Sequence, residues 1–326
     1  MKKNILKFTK FTIKLLISFC LLAFLFYYVG FSNIISTFAK VKLFYVFIAY
    51  CLFIFSLIVS NLNLFILLNI IGKIKFIVLF KHYIRAWAIG IFSPGRLGEL
   101  VLVAYLKKYD FKYGETVCIY VIDRAFSFFA LMFFTIPAFF LFFNFSYIWF
   151  LVLLCFCFFI FLAFIFSSFG RSFIKSILGR YATNFSGFFQ TFKIFLHYNK
   201  GFLILIFLIS MFKVMITGFI IFILFLAFNA QISLFMVIVI SAVVMILSLV
   251  PISINGLGVK ESLAVYLFSF TFVSTEVIFG VYLISMLINY SFALLVFSSF
   301  FNSFRFLKKS SIPKIIDSGE GGQPSK

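Results

Sequence analysis

GFLILIFLISMFKVMITGFIIFILFLAF, residues 201–228, decides the fold of this chain. It is apolar from end to end, broken only by a central Lys213 and a few Ser, Thr and Gly. A soluble surface helix would carry one apolar stripe, whereas this segment is apolar all round. About 20 such residues suffice to cross a bilayer. The segment reads as a transmembrane helix. Its lysine is either a cation of an internal cavity or one that snorkels toward an interface.

Working outward, the same pattern recurs along the whole chain. Hydrophobic residues make up 65% of the 326 positions and charged residues only 11%, with a mean hydropathy of +1.23. Soluble domains average roughly 45–50% apolar and about 25% charged, and no soluble fold hides this much apolar surface. The 58 Phe read as compositional bias in lipid-facing helices and not as an aromatic binding site. The net charge of +20 sits in clusters between and beyond the apolar segments, where it faces anionic headgroups of the cytoplasmic leaflet. Nucleic acid is therefore not an expected partner. The five Cys lie inside apolar runs, and Cys155 and Cys157 are two apart, so a helix points them in different directions. Together with His82 and His197 they make no metal constellation, and no disulfide, zinc site or cofactor is expected.

Predicted spans cover residues 11–30, 43–66, 116–143, 147–167, 201–228, 233–250 and 276–300. The first is too long, and too poor in small residues at its end, for a cleaved signal peptide. Lys2, Lys3, Lys7 and Lys10 before it, and Arg305, Lys308, Lys309 and Lys314 after the last, place both termini in the cytoplasm. Residues 171–200 mix apolar and basic side chains and read as an interfacial helix pair. Two further units are interrupted. Residues 76–93 and 100–106 flank one break, and residues 262–272 follow the other. Lys73, Lys75 and Lys81 lie on one side of the first unit and Lys107, Lys108 and Lys112 on the other. A re-entrant hairpin brings both clusters inside, which a full crossing cannot do. Irregular backbone at membrane depth survives only against protein or water, so the break should face a cavity. The expected architecture is an all-α polytopic membrane protein with about eight transmembrane helices and two broken or re-entrant segments. One membrane domain spans 1–307, and a basic, then polar and Gly-rich tail spans 308–326.

The chain has eight acidic residues. Glu99, Asp123 and Glu261 stand in or beside apolar segments, where a charge is expensive and marks a candidate site. Asp123 and Arg124 are adjacent, about 100° apart on a helix, so each is expected to reach another element. Arg124 should meet Glu99 or Glu261, and Asp123 should meet Arg96 or Lys260. These groups either form an ion-pair network that only packs helices or line a polar ligand cavity.

The two breaks share a vocabulary. One reads Ser93-Pro94-Gly95-Arg96-Leu97-Gly98-Glu99, the other Pro251-Ile252-Ser253-Ile254-Asn255-Gly256-Leu257-Gly258-Val259-Lys260-Glu261. Glycines let backbone turn sharply and approach a ligand, and the start of a half-helix attracts anions. Arg96 and Lys260 add positive charge, which makes a phosphate headgroup the natural guest. Paired discontinuous helices are a transporter device, and the two breaks are candidates for an internal repeat.

With these residues in place, the chain resembles the integral-membrane, flippase-like domain of the lysylphosphatidylglycerol synthase family. The resemblance rests on the two glycine motifs and the Asp123-Arg124 pair, in this order over about 300 residues. By resemblance, Gly95, Arg96, Gly98 and Glu99 match the first family motif, Asp123 and Arg124 the intramembrane pair, and Asn255, Gly256, Gly258, Lys260 and Glu261 the second glycine motif; with Ser93 and Lys213 from the residue reading they are the candidate headgroup-binding residues. Lys260 departs from the Arg that the family often carries there, which keeps charge but loses bidentate geometry toward phosphate. The resemblance also implies a lipid transporter of the cytoplasmic (inner) membrane, with phosphate-bearing lipids and a lipid-modifying enzyme as partners. After the last span there is no room for a synthetase domain, so that activity is not expected. No G-x-x-x-x-G-K-[ST] motif suggests nucleotide-driven transport. The alternatives are a membrane enzyme acting on a lipid phosphate or lipid-linked sugar through Glu99, Asp123 and Glu261, and a membrane partner protein that transports nothing.

Overall fold

The structure, a computed structural model, describes residues 2–93, 98–142, 187–197, 200–250 and 253–310. Among them lie eleven α-helices and no strand: α1 (Lys2–Val29), α2 (Phe31–Phe38), α3 (Leu43–Leu68), α4 (Phe76–Ile91), α5 (Val101–Leu106), α6 (Tyr113–Phe142), α7 (Phe188–His197), α8 (Lys200–Ala227), α9 (Leu234–Leu247), α10 (Val259–Phe268) and α11 (Thr275–Ser310). Five contain stretches long and apolar enough to cross a bilayer: Thr12–Val29, Leu43–Leu68, Tyr113–Ala138, Lys200–Ala227 and Thr275–Ser299. Phe19, Phe44, Phe47, Ile204 and Leu294 expose more than half of their surface, a belt that lipid accepts and water would not. The chain is a multi-pass, all-α membrane protein.

The expected span 147–167 lies outside the described residues, and so does most of the basic stretch 171–200, of which α7 is described. The expected span 233–250 is shorter than foreseen. Its helix, α9, has 14 residues, about 21 Å at 1.5 Å per residue and short of a full crossing. Helix α2 fills the connection between the first two spans. Phe31, Ile34, Ile35 and Phe38 give it a helical apolar period, and Ile34 is its buried contact.

Helices α3 and α8 pack along one another more extensively than any other described pair, and α6, α9 and α11 complete the surround of α8. Small residues permit the closeness. A Cβ on Gly218 of α8 would stand 2.7 Å from Ile238 Cγ1 and 3.0 Å from its Cα, on α9. The Lys42 N–H donates to the Ala227 carbonyl at 3.0 Å and ties the start of α3 to the end of α8.

Helices α4 and α5 form an antiparallel hairpin. At its closed end, a Cβ on Gly90 would fall 2.5 Å from Glu99 Cγ. At its open end, His82 stacks on Tyr105 with ring centres 4.8 Å apart and hydrogen-bonds the Tyr109 hydroxyl at 3.1 Å. Lys81 and Lys107–Lys108 thus come to the same end of the unit. Helices α9 and α10 pack on each other across the second break, so each break joins a longer helix to a shorter one.

Candidate intramembrane ion-pair site

Helix α6 carries Tyr120, Asp123, Arg124 and Ser127, spaced three, four and seven residues from the first, which puts them on one face. Facing α6, helix α8 carries Ser210 and Lys213, and α3 carries Asn63. Arg124 is eleven residues into α6 and Lys213 thirteen into α8, about 16 and 20 Å along their axes. Both therefore stand well inside apolar helices long enough to cross a bilayer.

The cluster is two linked ion pairs. Glu99 Oε2 accepts hydrogen bonds from Arg124 Nη2 at 2.5 Å and from the Tyr120 hydroxyl at 2.7 Å. The Arg124 guanidinium also lies over the Tyr120 ring, 4.7 Å from its centre. Asp123 Oδ1 accepts from Asn63 Nδ2 at 2.7 Å and stands 3.6 Å from Lys213 Nζ. Lys213 Nζ donates to Ser127 Oγ at 3.1 Å, and Asn63 Nδ2 reaches Ser210 Oγ at 3.4 Å. Arg124 Nε is 3.9 Å from Asp123 Oδ2 and joins the two halves. Tyr83 of α4 lies within electrostatic reach of Glu99, Asp123 and Arg124.

Among the described residues of the cluster, two carboxylates face two cations. Exposure is graded across the group. The side chains of Asp123 and Glu99 are 2% and 6% exposed, that of Lys213 16%, and that of Arg124 40%. Asn63 and Ser210 at the far end are fully buried. Arg124 Nε and Asn63 Oδ1 have no hydrogen-bond partner, an unfavourable state for buried polar atoms. Beside the cluster, Phe55, Ile58, Leu62, Leu208, Ile209 and Phe212 line an open apolar groove of about 410 Å³ between α3 and α8.

The first break is held by its own side chains. Ser93 Oγ donates to the Gly90 carbonyl at 2.9 Å and accepts from the Gly98 N–H at 2.7 Å. A Cβ on Gly98 would stand 2.7 Å from the Ile89 carbonyl carbon and oxygen, so only glycine lets the chain double back there. Gly95 and Arg96 lie outside the described residues.

The second break is built differently. Asn255, Gly256 and Gly258 have φ of +52°, +76° and +81°, left-handed backbone that suits Asn and Gly. Glu261, 4% exposed, turns its carboxylate onto the Gly258 N–H at 2.7 Å and caps the start of α10. The Lys260 side chain folds over Gly256, whose added Cβ would meet Lys260 Cε at 2.9 Å. A Cβ on Gly258 would lie 2.7 Å from Leu21 Cβ and 3.0 Å from the Ser18 carbonyl oxygen, so this turn seats on α1. Ser253 is buried with its hydroxyl unpartnered.

Against these positions, the sequence expectations divide. Arg124 meets Glu99, one of its two expected carboxylates. No ion pair joins Arg124 to Glu261 among the described residues, because Glu261 is engaged with its own turn. Asp123 turns to Lys213, because α8 packs directly on α6. The neighbouring Asp123 and Arg124 also approach each other, because a long arginine can bend back along its own helix.

The profile of the lysylphosphatidylglycerol synthase TM region matches residues 11–296. The chain belongs to that family. Comparison with curated proteins returns no match.

Family membership supports a role connected with membrane lipids. In this member, Tyr120, Asn63, Ser127, Ser210 and Tyr83 join the cluster beside the residues that the motifs marked. A sequence signal for several of them exists. Tyr120-Asp123-Arg124-Ser127 and Ser210-Lys213 are polar stripes at helical spacing inside otherwise apolar spans, and such stripes should face each other. Among the described residues no group of three or more His, Cys, Asp or Glu stands together to hold a metal ion.

Proposed function

We propose that this chain moves a lipid or lipid-linked carrier with a phosphate-bearing headgroup between membrane leaflets. The headgroup would be received at Arg124 while the hydrocarbon chains stay in lipid or in the groove between α3 and α8. The observation that carries this reading is an arginine well inside an apolar span whose side chain is 40% exposed, while the carboxylates it faces are 2% and 6% exposed. A merely structural ion pair would be expected to hide its cation as fully as its anion. Arg124 remains open on one flank, where a planar guanidinium can take a phosphate oxygen.

In this reading Ser93 and Gly98 hold Glu99 in place, and Gly95 and Arg96 of the same motif are further candidate headgroup contacts. Asn255, Gly256, Gly258, Lys260 and Glu261 form the matching turn of a second re-entrant segment, in a fold of about eight spans. The protein would sit in a cytoplasmic membrane with both termini inside, beside an enzyme that makes or uses the lipid.

The test is leaflet exchange of labelled phospholipids and a polyprenyl phosphate in liposomes, with wild type compared to a folded Arg124→Gln variant. Exchange that falls at least tenfold in the variant supports the reading. Wild-type protein that exchanges none of these lipids, or exchange that survives the substitution, overturns it. Headgroups found altered by mass spectrometry would establish an enzyme instead.

A further inference from the structure

We infer that residues 43–142 and 200–310 are two copies of one unit set in opposite directions, so that the second hairpin enters from the membrane face opposite the first and the Arg124 site is approached from each side. The inversion stands on packing alone. The two-sided approach rests on the headgroup reading above and supplies the route that it needs.

The two units share their order of elements and their junctions. A long apolar helix, α3 or α8, leads to a hairpin of a longer and a shorter helix, α4–α5 or α9–α10, and a second long helix, α6 or α11, closes the unit. Each short helix runs into a 3-10 turn, Lys107–Tyr109 or Ser269–Thr271. The next residue is left-handed in both, Asp110 with φ +63° and Phe272 with φ +59°. The third residue beyond it, Tyr113 or Thr275, opens the closing helix, which carries an acid in its first turn, Glu115 or Glu276. Glu99 and Glu261 stand equally far ahead of the turn. Asp tolerates left-handed backbone far better than Phe, so residue preference does not explain the match at Phe272. A backbone repeated from one unit to the other does.

Packing fixes the direction. Helices α3 and α8 meet at Lys42 and Ala227, at Phe55 and Phe212, and at Asn63 and Ser210. Numbers rise along α3 as they fall along α8, so these leading helices are antiparallel and the units they begin are inverted. The other contacts follow the same exchange: α4 of the first unit packs on α11 of the second, and α9 of the second packs on α6 of the first. The first hairpin therefore opens where α3 stops, and the second opens at the other end of the bundle, where α8 stops. There Phe26 of α1 meets Phe279 of α11 with ring centres 5.1 Å apart, and Phe38 of α2 meets Phe228 at 5.7 Å. Both hairpins touch α6, which carries Arg124.

Charge tells the two mouths apart. Lys73, Lys75, Lys81, Lys107, Lys108 and Lys112 surround the first, whereas Lys260 is the one Lys or Arg between residues 214 and 304. The second mouth has only Lys40 and Lys42 near it among the described residues, at the start of α3. The more basic end stays in the cytoplasm, so the first hairpin opens inward and the second outward. An anionic headgroup gathers at the basic mouth and meets little positive charge to hold it at the other. Inverted repeats with discontinuous helices open one site to each side in turn.

The test uses full-length protein in right-side-out and inside-out membrane vesicles, labelled with a membrane-impermeant maleimide. Lys108→Cys reports the first mouth and Ser274→Cys the second. Both positions are exposed, and wild type gives the background of the native cysteines. Lys108→Cys should be labelled only in inside-out vesicles and Ser274→Cys only in right-side-out ones. Lys112→Cys and Ser269→Cys repeat the reading from a second position at each mouth. Both mouths labelled from one face, or either mouth reached from neither face, overturns the inversion. Labelling from opposite faces in the reverse sense keeps the inversion and overturns the orientation. In liposomes, a bulky maleimide on Ser274→Cys, but not the same reagent on wild type, should slow leaflet exchange of labelled phosphatidylglycerol about threefold or more. Unslowed exchange overturns the approach through the second mouth and leaves the inversion intact. Wild type that exchanges no phosphatidylglycerol fails the headgroup reading, and with it the two-sided approach, but not the inversion.

Discussion

Glu99 and Glu261 close two breaks written with the same few residue types, yet their carboxylates act on different things. Glu99 reaches across to α6 and holds Arg124 and Tyr120. Glu261 turns back on its own chain and caps Gly258. The backbones differ in the same sense. The second break stacks left-handed residues at 255, 256 and 258, and its glycine sits against α1. At the first, Ser93 clamps Gly90 to Gly98, and Glu99 is left aimed outward. A shared vocabulary of Ser, Gly, cation and Glu therefore specifies a sharp turn before a short helix. It does not specify whether the acid serves the turn or a distant helix.

Substitutions can break or sharpen this contrast. The largest effect is expected from Arg124→Ala, which takes the guanidinium away from both Glu99 and Asp123. Breaking a buried pair from one side costs about 3–5 kcal/mol, to be read from thermal unfolding in detergent, and leaflet exchange should be lost as well. Gly258→Ala comes next. An L-residue in the left-handed region costs about 1–2 kcal/mol, and the clash with Leu21 and Ser18 adds about 1–3 kcal/mol. The same unfolding measurement should show the loss, and a melting temperature equal to wild type would mean that the turn does not seat on α1. Smallest is Glu261→Gln, which keeps an acceptor for the Gly258 N–H but removes its charge, at about 1 kcal/mol. Exchange in this variant should stay closer to wild type than in Arg124→Ala. If it is lost as completely, the two breaks form one site and the contrast drawn here dissolves.

Much of this molecule was legible from local pattern. Spans at 11–30, 43–66, 116–143, 201–228 and 276–300 each fall on a helix, although α1 begins nine residues before the first and α11 runs ten residues past the last, because a long uncharged apolar run has few other stable states in lipid. The connecting α2 showed its helical period in Phe31, Ile34, Ile35 and Phe38, but eight residues between two spans make a weak signal. The span at 233–250 was overestimated, since hydropathy measures how apolar a stretch is and not where its helix stops.

Of the candidate site, the sequence alone determined the membership: a few charges in a membrane-soluble chain are costly, so Glu99, Asp123, Arg124 and Lys213 had to be neutralised within the protein. Which charge neutralises which is a property of helix neighbours. Asp123 pairs with Lys213, 90 residues further on, because α8 lies against α6. Arg124 pairs with Glu99 because the α4–α5 hairpin presents its closed end to α6. Glu261, as buried as Glu99, caps its own helix, because the left-handed turn before α10 places the Gly258 N–H within its reach. Hydrophobicity and charge cost act residue by residue and are written along the chain, whereas distances between side chains on different helices exist only once those helices have packed.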